Sequence, residues 1–213
     1  MKNITKFLMA FLCLGMIFAS CSKGDDINWD EIEEKQRLEM IRIDSTRKAQ
    51  ALILEQYAKT HFQNPVKSDS TGIWYEVIAA GQPDSYDYKN GYPSVSVNYT
   101  GNLLDENKTV FSKSKEGTPA NFSSLLLAIR QNFGMCWYYA FVPQTLNQNG
   151  RDEKLGGLLP KGLQKGSKIR FVTSSVFAYD NQEFKGTENV TVPKNSPVAY
   201  TIEVTDIAKA TSY

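Results

Sequence analysis

Val95-Ser96-Val97-Asn98-Tyr99-Thr100-Gly101 alternates apolar and polar side chains without a break. A strict period of two belongs to an extended strand with one face buried and the other wet. Val95, Val97 and Tyr99 therefore point one way, and Ser96, Asn98 and Thr100 the other. A tyrosine on the buried face carries a hydroxyl that needs a partner, so Tyr99 is either a packed core residue or the wall of an apolar pocket. Two more stretches behave alike: Ile169-Arg170-Phe171-Val172, leading into Phe177-Ala178-Tyr179, and Val198-Ala199-Tyr200-Thr201-Ile202-Glu203-Val204. Each brings a tyrosine to a buried face or just past it.

Outward from the central strand, Asn102 to Lys108 is a polar turn, and Thr109-Val110-Phe111 returns from it as a hairpin. Upstream, Ile73-Trp74-Tyr75-Glu76-Val77-Ile78 reads as a strand closed by the turn Gly81-Gln82-Pro83-Asp84. Before it, residues 30–63 form a helical segment free of Gly, with Pro65 just beyond its end. Its apolar residues, among them Leu38, Ile41, Leu52 and Ile53, must lie on the domain behind it or on a second copy of itself, a homodimer through the helix.

The N-terminus reads as an address. Lys2 and Lys6 precede an uncharged apolar run too short to span a bilayer, and Phe18-Ala19-Ser20-Cys21 resembles a bacterial lipobox. Residues 1–20 are expected to be a lipoprotein signal peptide, Cys21 the lipid attachment site, and residues 21–29 a polar tether. The polar Ser-Lys-Gly-Asp-Asp after the cysteine resembles tags that send lipoproteins outward. The expected location is the bacterial cell envelope, as an outer-membrane lipoprotein facing the periplasm or the cell surface.

Composition narrows the chemistry. The 213 residues carry 24 basic and 23 acidic side chains, and no stretch is markedly basic, so nucleic acid is not an expected partner. Of the three cysteines, Cys13 lies in the signal and Cys21 carries lipid, leaving Cys136 without a disulfide partner. The one histidine, His61, falls in the last turn of the helical segment, where a favourable interaction with the helix dipole accounts for it.

Val97-Asn98-Tyr99-Thr100-Gly101, Val110-Phe111-Ser112 and Phe122 resemble the first half of an FKBP-type peptidyl-prolyl cis-trans isomerase. Gly166-Ser167-Lys168-Ile169-Arg170-Phe171, Phe177-Ala178-Tyr179, and Val192-Pro193 followed by the strand to Val204 resemble the second. The resemblance implies an α+β fold over residues 66–208, a curved antiparallel sheet packed on a short helix and preceded by the N-terminal helix, with an insertion at about 123–160. It implies neither cofactor nor metal, and proline-containing polypeptides as clients. Catalysis would rest on Tyr99 and Phe111 as pocket walls and Tyr179 as hydroxyl donor to a client carbonyl. Phe122, Val192, Tyr200 and Ser112 would touch the substrate.

Three positions depart from the family. Ser112 replaces an aspartate, Ala120 the first ring of a Phe-x-Phe pair, and Asp180 a glycine. Leu155 to Leu163, with Pro160 and three glycines, does not read as the central helix. The region between Phe122 and Gly166 offers a helix at Ser124–Phe133 and the aromatic run Trp137-Tyr138-Tyr139-Ala140-Phe141, and either Phe133 or Trp137 with its neighbours could floor the pocket. Two functions stay open: a membrane-anchored isomerase assisting the folding of envelope proteins, or a non-catalytic FKBP-like binding or chaperone module.

The anchor yields a direct expectation. Several acyl chains, at ~0.8 kcal/mol per buried CH₂, hold a protein firmly to a bilayer. Cys21→Ser should move the protein from the membrane to the soluble fraction; a variant that still sediments fully with membranes refutes acylation there.

Overall fold

The computed structural model describes residues 28–210, so the lipobox, Cys21 and most of the tether lie outside the described residues. The chain divides into two compact units, residues 1–45 and 46–213. Helix α1 spans Trp29–His61. In the first unit its exposed surface carries the local ion pairs Lys35 to Glu31 and Arg37 to Glu34. Among the described residues no helix is long and apolar enough to cross a membrane.

The second unit is organised by a seven-stranded antiparallel sheet. Strands β1 (Val66–Lys67), β2 (Trp74–Ala80), β3 (Pro93–Leu103), β4 (Val110–Lys113), β5 (Ala120–Phe122), β8 (Ser167–Thr173) and β11 (Val198–Lys209) run in the order β1-β2-β8-β11-β3-β4, with β5 on the edge of β3. Central β3 and β11 pair along nearly their whole length, with Tyr99 opposite Ile202 and Gly101 opposite Tyr200. Along β3 burial alternates as the sequence demands, with Val95, Val97, Tyr99 and Gly101 inside.

Each sheet face has its own cover. On one, Leu54 and Ala58 of α1, with Phe62 just past its end, pack on Val172 and Ala199. On the other lie α2 (Leu125–Ala128), a π turn (Ile129–Phe133) and α3 (Met135–Phe141); Phe133 of the π turn and Trp137 of α3 supply the rings that meet Tyr99 and Tyr200. The helix expected over 124–133 is thus a single α turn that loosens into a π turn, and the aromatic run after it is the helix α3. Hairpin β6 (Thr145–Gln148) and β7 (Arg151–Lys154) follows, and Leu155–Leu163 contains no helix. Strands β9 (Phe184–Lys185) and β10 (Thr191–Val192) pair in the loop before β11.

Two polar clamps fix α1 to this unit. The buried Gln50 amide makes four hydrogen bonds: its Oε1 accepts from Ser174 Oγ (2.7 Å) and the Ser175 N–H (2.9 Å), and its Nε2 donates to Ser175 Oγ (3.1 Å) and the Asn195 carbonyl (2.8 Å). At the helix end, the Glu76 carboxylate accepts from the Gln63 N–H (3.1 Å) and Asn64 N–H (2.9 Å) and pairs with Arg170, whose guanidinium also lies 4.9 Å over the Phe62 ring. Burial pushes the Glu76 carboxyl up, but the Asn64 N–H and Arg170 outweigh it and hold it below the usual range.

A depressed carboxyl stabilises the fold above its unfolded value, near ~4.3, and loses that contribution as pH falls through the folded value. Glu76→Gln should therefore cost roughly 2 kcal/mol at pH 7 in urea unfolding. The gap from the parent should close below about pH 4; a gap constant from pH 7 to pH 3 would contradict the pairing.

Candidate functional site

The site grows from a close approach of strands. At Gly101 a Cβ would lie 2.7 Å from Phe111 Cζ and 2.7 Å from Tyr200 Cε1, so a bare α-carbon lets both rings seat against the sheet. Phe111 and Tyr200 then meet edge to face at 5.7 Å, with Phe171 5.6 Å from Tyr200. Such contacts add about 0.5–1.5 kcal/mol each beyond area burial.

Beside them stands an aromatic box. Trp137, fully buried on α3, stacks on Phe133 at 3.7 Å and 10°. Tyr99 stands edge-on to both rings (5.2 and 5.4 Å), as do Phe122 (5.4 and 6.0 Å) and Tyr200 (6.2 and 5.9 Å). Both candidate floors therefore meet at one place, Phe133 stacked on Trp137. Tyr179 lies on the far side of Phe111 (5.9 Å), half-buried and stacked on Phe184 at 4.0 Å.

The hydroxyls can be assigned by counting protons. Tyr200 is enclosed, and among the described residues its hydroxyl has one hydrogen-bond partner, the Tyr179 hydroxyl at 2.6 Å. An enclosed O–H is satisfied only by donating, so Tyr200 donates to Tyr179 and leaves the Tyr179 proton for another acceptor. Tyr99 runs the other way. The Thr187 hydroxyl donates to the Lys113 carbonyl (3.3 Å) and accepts from the Lys113 N–H (3.0 Å), so Ser112 donates to Thr187 (3.3 Å) and accepts from Tyr99 (3.1 Å). The Tyr99 proton is thus held inside the fold.

Burial raises the Tyr99, Tyr179 and Tyr200 hydroxyls above the usual tyrosine value, and all three are neutral donors at physiological pH. Burial also pushes the Cys136 thiol up; its Sγ donates weakly to the Phe133 carbonyl at 3.1 Å. Among the described residues the buried Trp137 indole N–H and Ser124 hydroxyl find no hydrogen-bond partner. Among the described residues no His, Cys, Asp and Glu cluster could hold a metal ion.

The structure thus brings together Tyr99, Phe111, Phe122, Tyr179, Tyr200 and Ser112. Val192 is different. Expected as a lip touching substrate, it is fully buried in β10 opposite Phe184, because the β9–β10 pairing folds that segment inward. Residues that the sequence left undecided or unnoticed are Phe133, Trp137 and Phe184. Two surface clefts, about 360 Å³ around Ser94, Asn121 and Phe122 and about 520 Å³ around Asp84, Tyr88 and Pro160, are lined by none of Tyr99, Phe111, Tyr179 or Tyr200.

No protein-family model matches the chain. Over 162 residues, 73% of its length, it is 25% identical to the FKBP-type peptidyl-prolyl cis-trans isomerase FkpA of Escherichia coli strain K12, and equally to the protein of that name from Escherichia coli O157:H7. The aligned region spans 44% of the length of these relatives. Among solved structures, the crystal structure of FkpA from Escherichia coli aligns at 23% identity over 95% of this chain and 82% of its own, with a TM-score of 0.48. AtFKBP13 aligns at 20% over 68% of this chain and 99% of its own, with a TM-score of 0.47. In sequence the chain is thus similar to an FKBP-type peptidyl-prolyl cis-trans isomerase, and its antiparallel sheet, N-terminal helix and short central helix make an FKBP-like fold.

Proposed function

We propose that this chain is a peptidyl-prolyl cis-trans isomerase that acts on proline-containing polypeptides at the bacterial envelope. One observation carries the reading: a neutral tyrosine, Tyr179, accepts the Tyr200 proton and so keeps its own for another acceptor, and it stands beside Phe111 and an aromatic box. The reaction needs no nucleophile. Resonance sets a barrier of ~18–20 kcal/mol across the X–Pro amide, and twisting the bond removes that resonance. A twisted amide is less polar than a planar one, so an apolar site favours it over the ground state. The Tyr179 O–H would hold the client carbonyl, and Phe111 with the box would hold the prolyl side.

In this reading Cys21 carries the lipid that holds the enzyme to the outer membrane. The helix α1 leaves Leu38, Ile41, Leu52 and Ile53 exposed, and a second copy of the helix is the partner we infer for them. A binding module is the second reading, favoured by one specific feature: the Phe133 ring already lies against Trp137.

A prolyl-isomerisation assay separates the two. We expect measurable acceleration by the parent chain, and a loss of about 10- to 100-fold in Tyr179→Phe, the equivalent of one positioned hydrogen bond worth ~1–3 kcal/mol. Tyr200→Phe should lose less, about 3- to 10-fold, because the Tyr179 donor survives but loses its orienting partner. Absence of acceleration, with prolyl-peptide binding retained, would hand the site to the binding-module reading.

A further inference from the structure

Of the rings in the box, Phe133 is held least firmly. Tyr99 and Tyr200 stand on β3 and β11, which pair along ten residues and more, and Trp137 sits within α3. Phe133 instead ends the π turn, an irregular stretch whose Arg130 and Gln131 face solvent. Gly134 follows at φ +69°, a left-handed conformation suited to glycine, and its N–H closes the turn on the Ile129 carbonyl at 2.9 Å. A Cβ on Gly134 would lie 2.3 Å from the Ala178 carbonyl oxygen, so this backbone leans directly on the residue before Tyr179.

The ring itself lies flat on the Trp137 indole, walled by Tyr99, Phe122 and Tyr200. That is the environment an apolar ring from another chain would need. The buried, unpaired Trp137 N–H and Ser124 hydroxyl belong to the same segment, so the closed arrangement leaves two polar groups of its own unsatisfied.

We propose that Phe133 is the built-in occupant of a seat for one prolyl ring, and that a polypeptide client enters by displacing it. This rests on reading the site as one for prolyl peptides. The seat is closed at rest, and because Gly134 abuts Ala178, withdrawal of Phe133 shifts the loop that carries Tyr179. Admission of the ring and presentation of the hydroxyl donor are one movement. Affinity for a client is then reduced by the fraction of molecules in which the seat is empty.

The test compares the full parent chain with Phe133→Ala and Phe133→Leu. Each is titrated with a Leu-Pro tetrapeptide and its Leu-Ala counterpart, following the ¹⁵N-indole NMR signal of Trp137. Phe133→Ala should bind the Leu-Pro peptide about 10-fold tighter or more than the parent, with a shift of that signal, and gain little for Leu-Ala. Phe133→Leu, which keeps the box filled and the fold intact, should fall between. Folded variants that bind like the parent, or that gain equally for both peptides, overturn the proposal; should Phe133→Ala not fold, the absence of any gain in Phe133→Leu does so. If no form accelerates isomerisation yet Phe133→Ala gains prolyl binding, the occupant stands and the isomerase reading falls. An active parent whose turnover and binding are unchanged by Phe133→Ala gives the reverse.

Discussion

A missing methyl group sets the geometry of the aromatic site. Gly101 lies on the buried face of β3, two residues beyond Tyr99, where any side chain would strike Phe111 and Tyr200 together. With only a hydrogen there, the two rings meet each other on the sheet, and Tyr200 can extend its hydroxyl to Tyr179. Tyr200 also forms one wall of the box, so the same small residue governs both halves of the site. Phe111 and Tyr200 stand on strands β4 and β11, both paired with β3 in the sheet, so the backbone fixes where these two rings sit.

The loops around the site are held from behind the sheet. Gln50 of α1 satisfies Ser174, Ser175 and the Asn195 carbonyl, while the Asp180 carbonyl accepts from the Asn195 N–H at 2.7 Å. The segment carrying Tyr179 and the turn after Val192 are therefore tied to each other and to the helix. A buried amide with every donor and acceptor used is costly to break, since removing one partner strands the others. The helix thus has a structural tie to the loop that presents the proposed donor, as well as a face of the sheet to cover.

Much of this was legible from residues. The alternation through Val95–Tyr99 marked a strand with Tyr99 inside, and Phe111, Tyr179 and Tyr200 meet in one aromatic cluster. The central helix was not legible, for a physical reason: Cys136 to Phe141 is buried on every side, so α3 has no polar face and shows no helical period. Its aromatic residues also favour strands when taken singly. Nothing in the sequence singles out Gln50, whose four hydrogen bonds go to Ser174, Ser175 and Asn195, more than a hundred residues away along the chain. Ser112 was read as a lost charge. It proves to be the middle of a hydroxyl chain that turns the Tyr99 proton inward, so the proposed donor is Tyr179 and not Tyr99.

The central claim is that a neutral hydroxyl beside an aromatic box twists a prolyl bond without covalent chemistry. Two-dimensional exchange spectroscopy on a Leu-Pro peptide with substoichiometric chain measures this most directly. The account predicts cis-to-trans exchange peaks that appear only when the chain is added, together with broadening of the Trp137 indole signal and of the Tyr99 and Tyr179 ring signals. An unchanged exchange rate with those three signals unperturbed would contradict it.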